Sequence, residues 1–224
     1  MARRKGTARP FFLLLASTMA SWFIYVPLHE LLHAFGCWVT GGTVQELQIM
    51  PLYGGGFLEK VFPFVRAGGD YAGRLTGFDT GGSDLVYLAT DFAPYLLTVA
   101  GACLLLEAAS RTGSFLFLGT GVVLVTAPAI SLLGDYYEMG SILVSSAAGT
   151  LTGALSAERL QDMRHDDLLA LLGEFSQRFP QDRLFWAGAV ASAALLGLLL
   201  AGWTLETSRR VSDIFWASRA PGKP

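Results

Sequence analysis

Apolar positions in this chain fall in long unbroken runs separated by short, glycine-punctuated polar stretches. From Phe11 to about residue 35 almost every position is apolar, and comparable runs cover about 85–108, 115–134 and 184–203. Roughly 20 apolar residues suffice for a helix to cross a bilayer. The pattern therefore predicts an all-α polytopic membrane protein with about four transmembrane helices, organised as one integral membrane domain over residues 1–224. Residues 139–155 are apolar but rich in Ser, Gly and Thr, which fits either a fifth span or a helix packed inside the domain. Pro27 interrupts the first run and predicts a kink or restart there.

After the first run the texture changes. Gly41-Gly42, Gly54-Gly55-Gly56, Gly68-Gly69 and Gly81-Gly82 punctuate short segments, of which Val44–Ile49 partly alternates and Phe57–Phe62 follows the triple glycine. This reads as a small membrane-associated β-hairpin or β-like loop over 41–84. Over 156–183, Leu160, Met163, Leu168, Leu171, Leu172 and Phe175 recur at helical spacing among charges, which predicts an amphipathic helical segment. Gly188, Ser192, Ala193 and Gly197 give the last span small-residue surfaces for helix packing. A polar tail with Arg209, Arg210, Arg219 and Lys223 follows it.

Composition agrees with the membrane class: 52% of residues are hydrophobic and only 15% charged. With a net charge of −2 and no basic cluster away from the termini, nucleic-acid binding has no electrostatic footing. The basic start and apolar run imitate a signal peptide with Ala20 at its cleavage position, but apolar character continues to Trp38, which predicts retention. Four basic residues, Arg3, Arg4, Lys5 and Arg9, precede the first span and four follow the last. With an even number of spans, both termini are expected on the cytoplasmic side of a bacterial-type cytoplasmic membrane. Two cysteines, Cys37 and Cys103, make no disulfide framework.

The chemistry concentrates in His29-Glu30-Leu31-Leu32-His33. On a helix the two histidines share a face, so both imidazoles can meet one metal ion with Glu30 beside it, the arrangement of a zinc hydrolase. With three histidines and eight glutamates in the chain, a shuffled sequence would contain H-E-x-x-H only about once in a thousand trials. Ionisable groups at membrane depth are costly and mark function by default. Catalytic zinc takes three protein ligands. Asp135, where the third apolar run ends, is the favoured third ligand and Glu138 the alternative. Asp91 is a further candidate, as ligand, orienting residue or substrate contact. His165 sits in a charged stretch that reads as surface, and Cys37 shares the His33 face but fits a small buried packing residue.

HELLH in an early span, Gly41-Gly42 with a β-like segment after it, and a membrane aspartate about a hundred residues downstream together resemble the site-2 proteases, which are intramembrane zinc metalloproteases. The resemblance covers roughly residues 20–140. It implies His29, His33 and Asp135 as Zn2+ ligands and Glu30 as the catalytic base, with a transmembrane protein or membrane-associated peptide as substrate and an adaptor protein as a possible source of specificity. The family's aspartate usually stands in Leu-Asp-Gly, where this chain has Gly134-Asp135-Tyr136. Its intermediate-helix asparagine has no counterpart, since the chain contains no asparagine, leaving Thr98 or Asp91 to orient substrate. The glycine-bounded segment 43–64 is expected to pair with an opened substrate strand. Two other classes fit the sequence: a membrane zinc peptidase with His, His and Glu ligands acting on peptides or loops, and a non-enzymatic membrane accessory protein.

Overall fold

The structure is a computed structural model that describes residues 8–152 and 160–219. Arg3, Arg4 and Lys5 of the basic start, residues 156–159 of the amphipathic segment and Lys223 lie outside them. The protein is an all-α polytopic membrane protein carrying a small three-stranded sheet. Among the described residues, four helical stretches are long and apolar enough to cross a membrane: Ala8–Val39, Asp84–Thr112, Phe115–Leu133 and Arg183–Ala217. Large apolar side chains such as Phe11, Phe12, Leu116, Leu198 and Leu199 point outward from them, which suits a hydrocarbon solvent.

Helix α1 (Ala8–Val39) continues through Pro27 without a break, so the proline does not restart it. One missing backbone donor is tolerated in a spanning helix whose neighbours hold it. The glycine-punctuated segment is a sheet of order β2-β1-β3, with β1 (Thr43–Ile49) parallel to β2 (Val65–Ala67) and antiparallel to β3 (Gly73–Asp79). It is not a simple hairpin, because the stretch from Phe57 is helical: α2 (Gly55–Val61) crosses between β1 and β2. Leu58, inside this helix, and Phe62, at its C-cap, both pack on Leu47, Ile49 and Val65, so the helix covers the face of the sheet. Gln48 and Thr76 both donate to Glu46 Oε1, at 2.7 and 3.1 Å, fastening β1 to β3. These bonds hold the half-buried Glu46 carboxyl below its ordinary pKa.

The second spanning stretch is α3 (Asp84–Phe92), a 3-10 turn at Ala93–Tyr95 where Pro94 interrupts the ladder, and α4 (Leu96–Thr112). Next come α5 (Phe115–Ile130), a 3-10 turn at Ser131–Leu133, and α6 (Asp135–Thr152). As far as Thr152 the weak apolar segment is thus a helix packed in the domain and not one of the four spanning stretches, its residues 153–155 lying outside the described ones. Asp167 Oδ1 accepts the Leu169 and Ala170 amides and caps α7 (Leu168–Arg178), so the amphipathic segment is broken before Leu168. The last helix, α8 (Arg183–Ala217), runs well past residue 203. Arg209 and Arg210 belong to it, tied to Glu206 and Asp213 at helical spacing, and are not part of a loose tail.

Close helix contacts run through small residues. A Cβ at Gly36 would collide with Ala93 and the Ala89 carbonyl, bringing α3 against α1, and a Cβ at Gly197 would collide with the Tyr136 carbonyl, bringing α8 against α6. The first half of α1 lies along α5, where Ser21 and Thr120 hydroxyls meet at 2.9 Å. The end of α8 lies along the end of α4, where Arg111 stacks on Trp216 at 4.3 Å. Both described ends of the chain therefore lie at the end of the bundle that holds the α4–α5 turn. HELLH lies toward the other.

Candidate metal centre

Three elements meet at HELLH. Residues His29 and His33 are one turn apart on α1 and both buried. The Gly36 contact brings α3 close enough for His33 Nδ1 to donate to the Thr90 carbonyl at 2.9 Å. A carbonyl only accepts, so Nδ1 carries the proton and, in the neutral ring, Nε2 presents its lone pair inward. His29 Nδ1 meets the Tyr25 hydroxyl at 2.9 Å, one further turn back on α1. Asp135, the first residue of α6, completes the group.

His29 Nε2 stands 3.2 Å from Asp135 Oδ2, His33 Nε2 stands 3.2 Å from His29 Nε2, and His33 Nε2 stands 3.6 Å from Asp135 Oδ2. Tetrahedral zinc with ligands at about 2.0–2.1 Å requires donor-to-donor edges of about 3.3–3.4 Å. The triangle fits that size, and its donor set of two imidazoles and one carboxylate could hold a divalent metal ion such as zinc. Among the described residues it is the one group of His, Cys, Asp and Glu drawn close enough to share an ion. Tyr95 donates to the same Oδ2 at 2.5 Å and sets its ring edge-on to His29, 5.5 Å between centroids. All three donors are therefore oriented by outer contacts, as metal ligands typically are.

The other candidates stand apart. Glu138, one turn along α6, accepts from Tyr87 at 2.5 Å and does not join the triangle. His165 is half-buried, and its Nδ1 accepts the Asp167 amide at 3.0 Å. Cys37 is buried and its thiol faces the Thr43 carbonyl at 3.6 Å. Thr98 Oγ1 donates to the Leu124 carbonyl at 3.0 Å and is a packing bond between α4 and α5. Glu30 lies beside the triangle with its side chain against Gly73 of β3, where any Cβ would overlap it. Together with His33, Asp135, Asp91 and Glu138 it lines a cavity of about 800 Å3. β3 pairs with β1 along one edge; among the described residues its other edge has no strand partner.

Sequence reasoning missed the residues that orient the site. Tyr25 was findable, because it precedes His29 by one helical turn on the same face. Tyr95 and the Thr90 carbonyl were not, since they reach the centre only through the packing of α3 on α1. Compared with family models, curated proteins and solved structures, the chain finds no match in any of the three.

Proposed function

We propose that the chain is an intramembrane zinc metalloprotease, hydrolysing a peptide bond in or near a transmembrane segment of a membrane protein. The observation that carries this reading is the zinc-sized triangle of His29, His33 and Asp135 with an unliganded carboxylate, Glu30, facing the same cavity. Zinc held there would supply Lewis acidity toward a water molecule and a peptide carbonyl. Glu30 accepts the proton of the attacking water and passes it to the leaving amide nitrogen, so base and ligand roles fall on different residues. Thr90 and Tyr25 hold the two imidazoles, and Tyr95 holds Asp135.

A helical substrate hides its peptide bonds in its own ladder and must open locally to be cut. The edge of β3 that has no strand partner among the described residues belongs to a strand that meets Glu30 at Gly73, and an extended chain added to that edge would pass near the base. This moves the strand-pairing role from segment 43–64 to β3, since β1 is the central strand. With basic residues flanking the spans, both termini are assigned to the cytoplasmic side of a bacterial-type membrane, and the centre then opens toward the opposite half of the bilayer.

The test is Glu30→Gln in detergent-purified protein, with bound zinc measured by elemental analysis and cleavage measured on co-expressed membrane proteins. Zinc should stay near one per chain while cleavage falls by about 10²–10⁴-fold. A zinc-free wild-type protein, or full cleavage by the variant, refutes the proposal.

A further inference from the structure

The cavity beside the triangle holds two carboxylates that the proposed chemistry does not use. Asp91 sits on α3 directly after Thr90, is 5% exposed, and its Oδ2 has no hydrogen-bond partner among the described residues. Glu138 sits on α6 one turn beyond Asp135 and is 9% exposed, its Oε1 taking the Tyr87 hydroxyl. Tyr87 and Asp91 are one turn apart on α3, so the bond from Tyr87 brings Glu138 to the helix face that carries Asp91. Both carboxylates line the same cavity as Glu30 and His33. A buried carboxylate without a partner is costly and asks for a cation or a proton.

Among the described residues no cation supplies that charge. Arg164 is bound through two nitrogens to Asp84, and Arg74 is paired with Asp166. Arg74, Arg164, Asp166 and Arg178 line the same cavity, and no hydrogen bond or ion pair joins an arginine to Asp91 or Glu138 among the described residues. The pair also does not form a second three-ligand metal group with its neighbours. An ammonium or guanidinium group on a flexible stem fits better, because it bridges two carboxylates at hydrogen-bond distance without needing a third ligand.

Resting on the metalloprotease reading, we propose that Asp91 and Glu138 form a specificity subsite for a Lys or Arg side chain of the substrate, next to the bond that is cut. Lys and Arg near a span end lay their stems in the apolar layer and reach outward with their charges; at the non-cytoplasmic end, toward which this centre opens, they are the scarcer residues. The subsite thus selects peptide bonds near the boundary of a substrate span over those at its centre. Arg74 and Arg164, by closing their own ion pairs, leave Asp91 and Glu138 to the incoming cation.

The experiment uses two metal-seeking probes that differ in one charge, N-acetyl-lysine hydroxamate and N-acetyl-norleucine hydroxamate. Each is titrated calorimetrically into the zinc-loaded full-length protein in detergent. The lysyl probe should bind tighter by about ten-fold or more, and that ratio should fall to near one in Asp91→Asn and in Glu138→Gln. Because the decisive comparison is made within the wild-type protein, a poorly folded variant does not decide the outcome. Equal affinities of the two probes in wild type overturn the subsite and leave the metalloprotease reading standing. A preference that survives both substitutions overturns its assignment to this pair. Binding of neither probe to zinc-loaded protein removes the metalloprotease reading and the subsite with it.

Discussion

Replacing Tyr95 with Phe removes one oxygen and tests whether Asp135 is a ligand held from behind. The Tyr95 ring is fully buried, 4.5 Å from Tyr136 and 5.5 Å from His29 between centroids, and phenylalanine keeps those contacts. What disappears is the 2.5 Å bond to Asp135 Oδ2. A hydrogen bond to a charged group contributes about 1.5–3 kcal/mol. At about 1.4 kcal/mol per decade this is roughly 10–100-fold in zinc affinity, the range typical of an outer contact to a metal ligand. The assay is competition for zinc against a chromophoric chelator in detergent. Tyr136→Phe is the control: its hydroxyl is equally buried and donates to Thr204 at 2.9 Å, away from the triangle. That variant should lose about 1 kcal/mol of stability with zinc affinity unchanged. Tyr95→Phe binding zinc as tightly as wild type, or Tyr136→Phe weakening it equally, would refute the reasoning.

Other predictions follow from the same geometry. Asp135→Asn should abolish stoichiometric zinc and Glu138→Gln should retain it, as read by metal content after dialysis; the reverse result would move the third ligand to Glu138. Gly36→Val should push α3 away from α1, costing about 1–3 kcal/mol by overpacking and lowering zinc affinity, because Thr90 no longer holds His33. Wild-type-like zinc affinity in that variant would show that the Thr90 contact is dispensable. Acidification should release zinc reversibly, since both imidazoles must be unprotonated to coordinate; retention of zinc in acid on equilibrium dialysis would exclude histidine ligation.

How much was legible in the sequence follows from how local each feature is. His29 and His33 lie one turn apart, so their meeting needs only that α1 be a helix. Asp135 was chosen because it sits where an apolar run ends with no basic neighbour, and the fold does bring it to the histidines. Its separation from Glu138 was not legible, for both stand on the first turn of α6 and only Tyr87, on another helix, distinguishes them. Phe57–Phe62 misled because a short apolar run after glycines fits strand or helix equally, and the choice was made by the packing of Leu58 and Phe62 on β1 and β2. β3 was missed because its alternation is masked by two glycines. Gly197, by contrast, was read as a packing surface, and it is the point where α8 meets Tyr136.

That seam fixes an order of events in biosynthesis. Asp135 is held in place by an α6 whose partner helix reaches the ribosome exit about 60 residues later, at Gly197. At about 5–20 residues per second, roughly 3–12 s pass between making the third donor and making the surface that positions it. Throughout that interval the nascent chain holds its histidine pair without a completed triangle. Closure of the triangle thereby becomes a late step in the making of the fold.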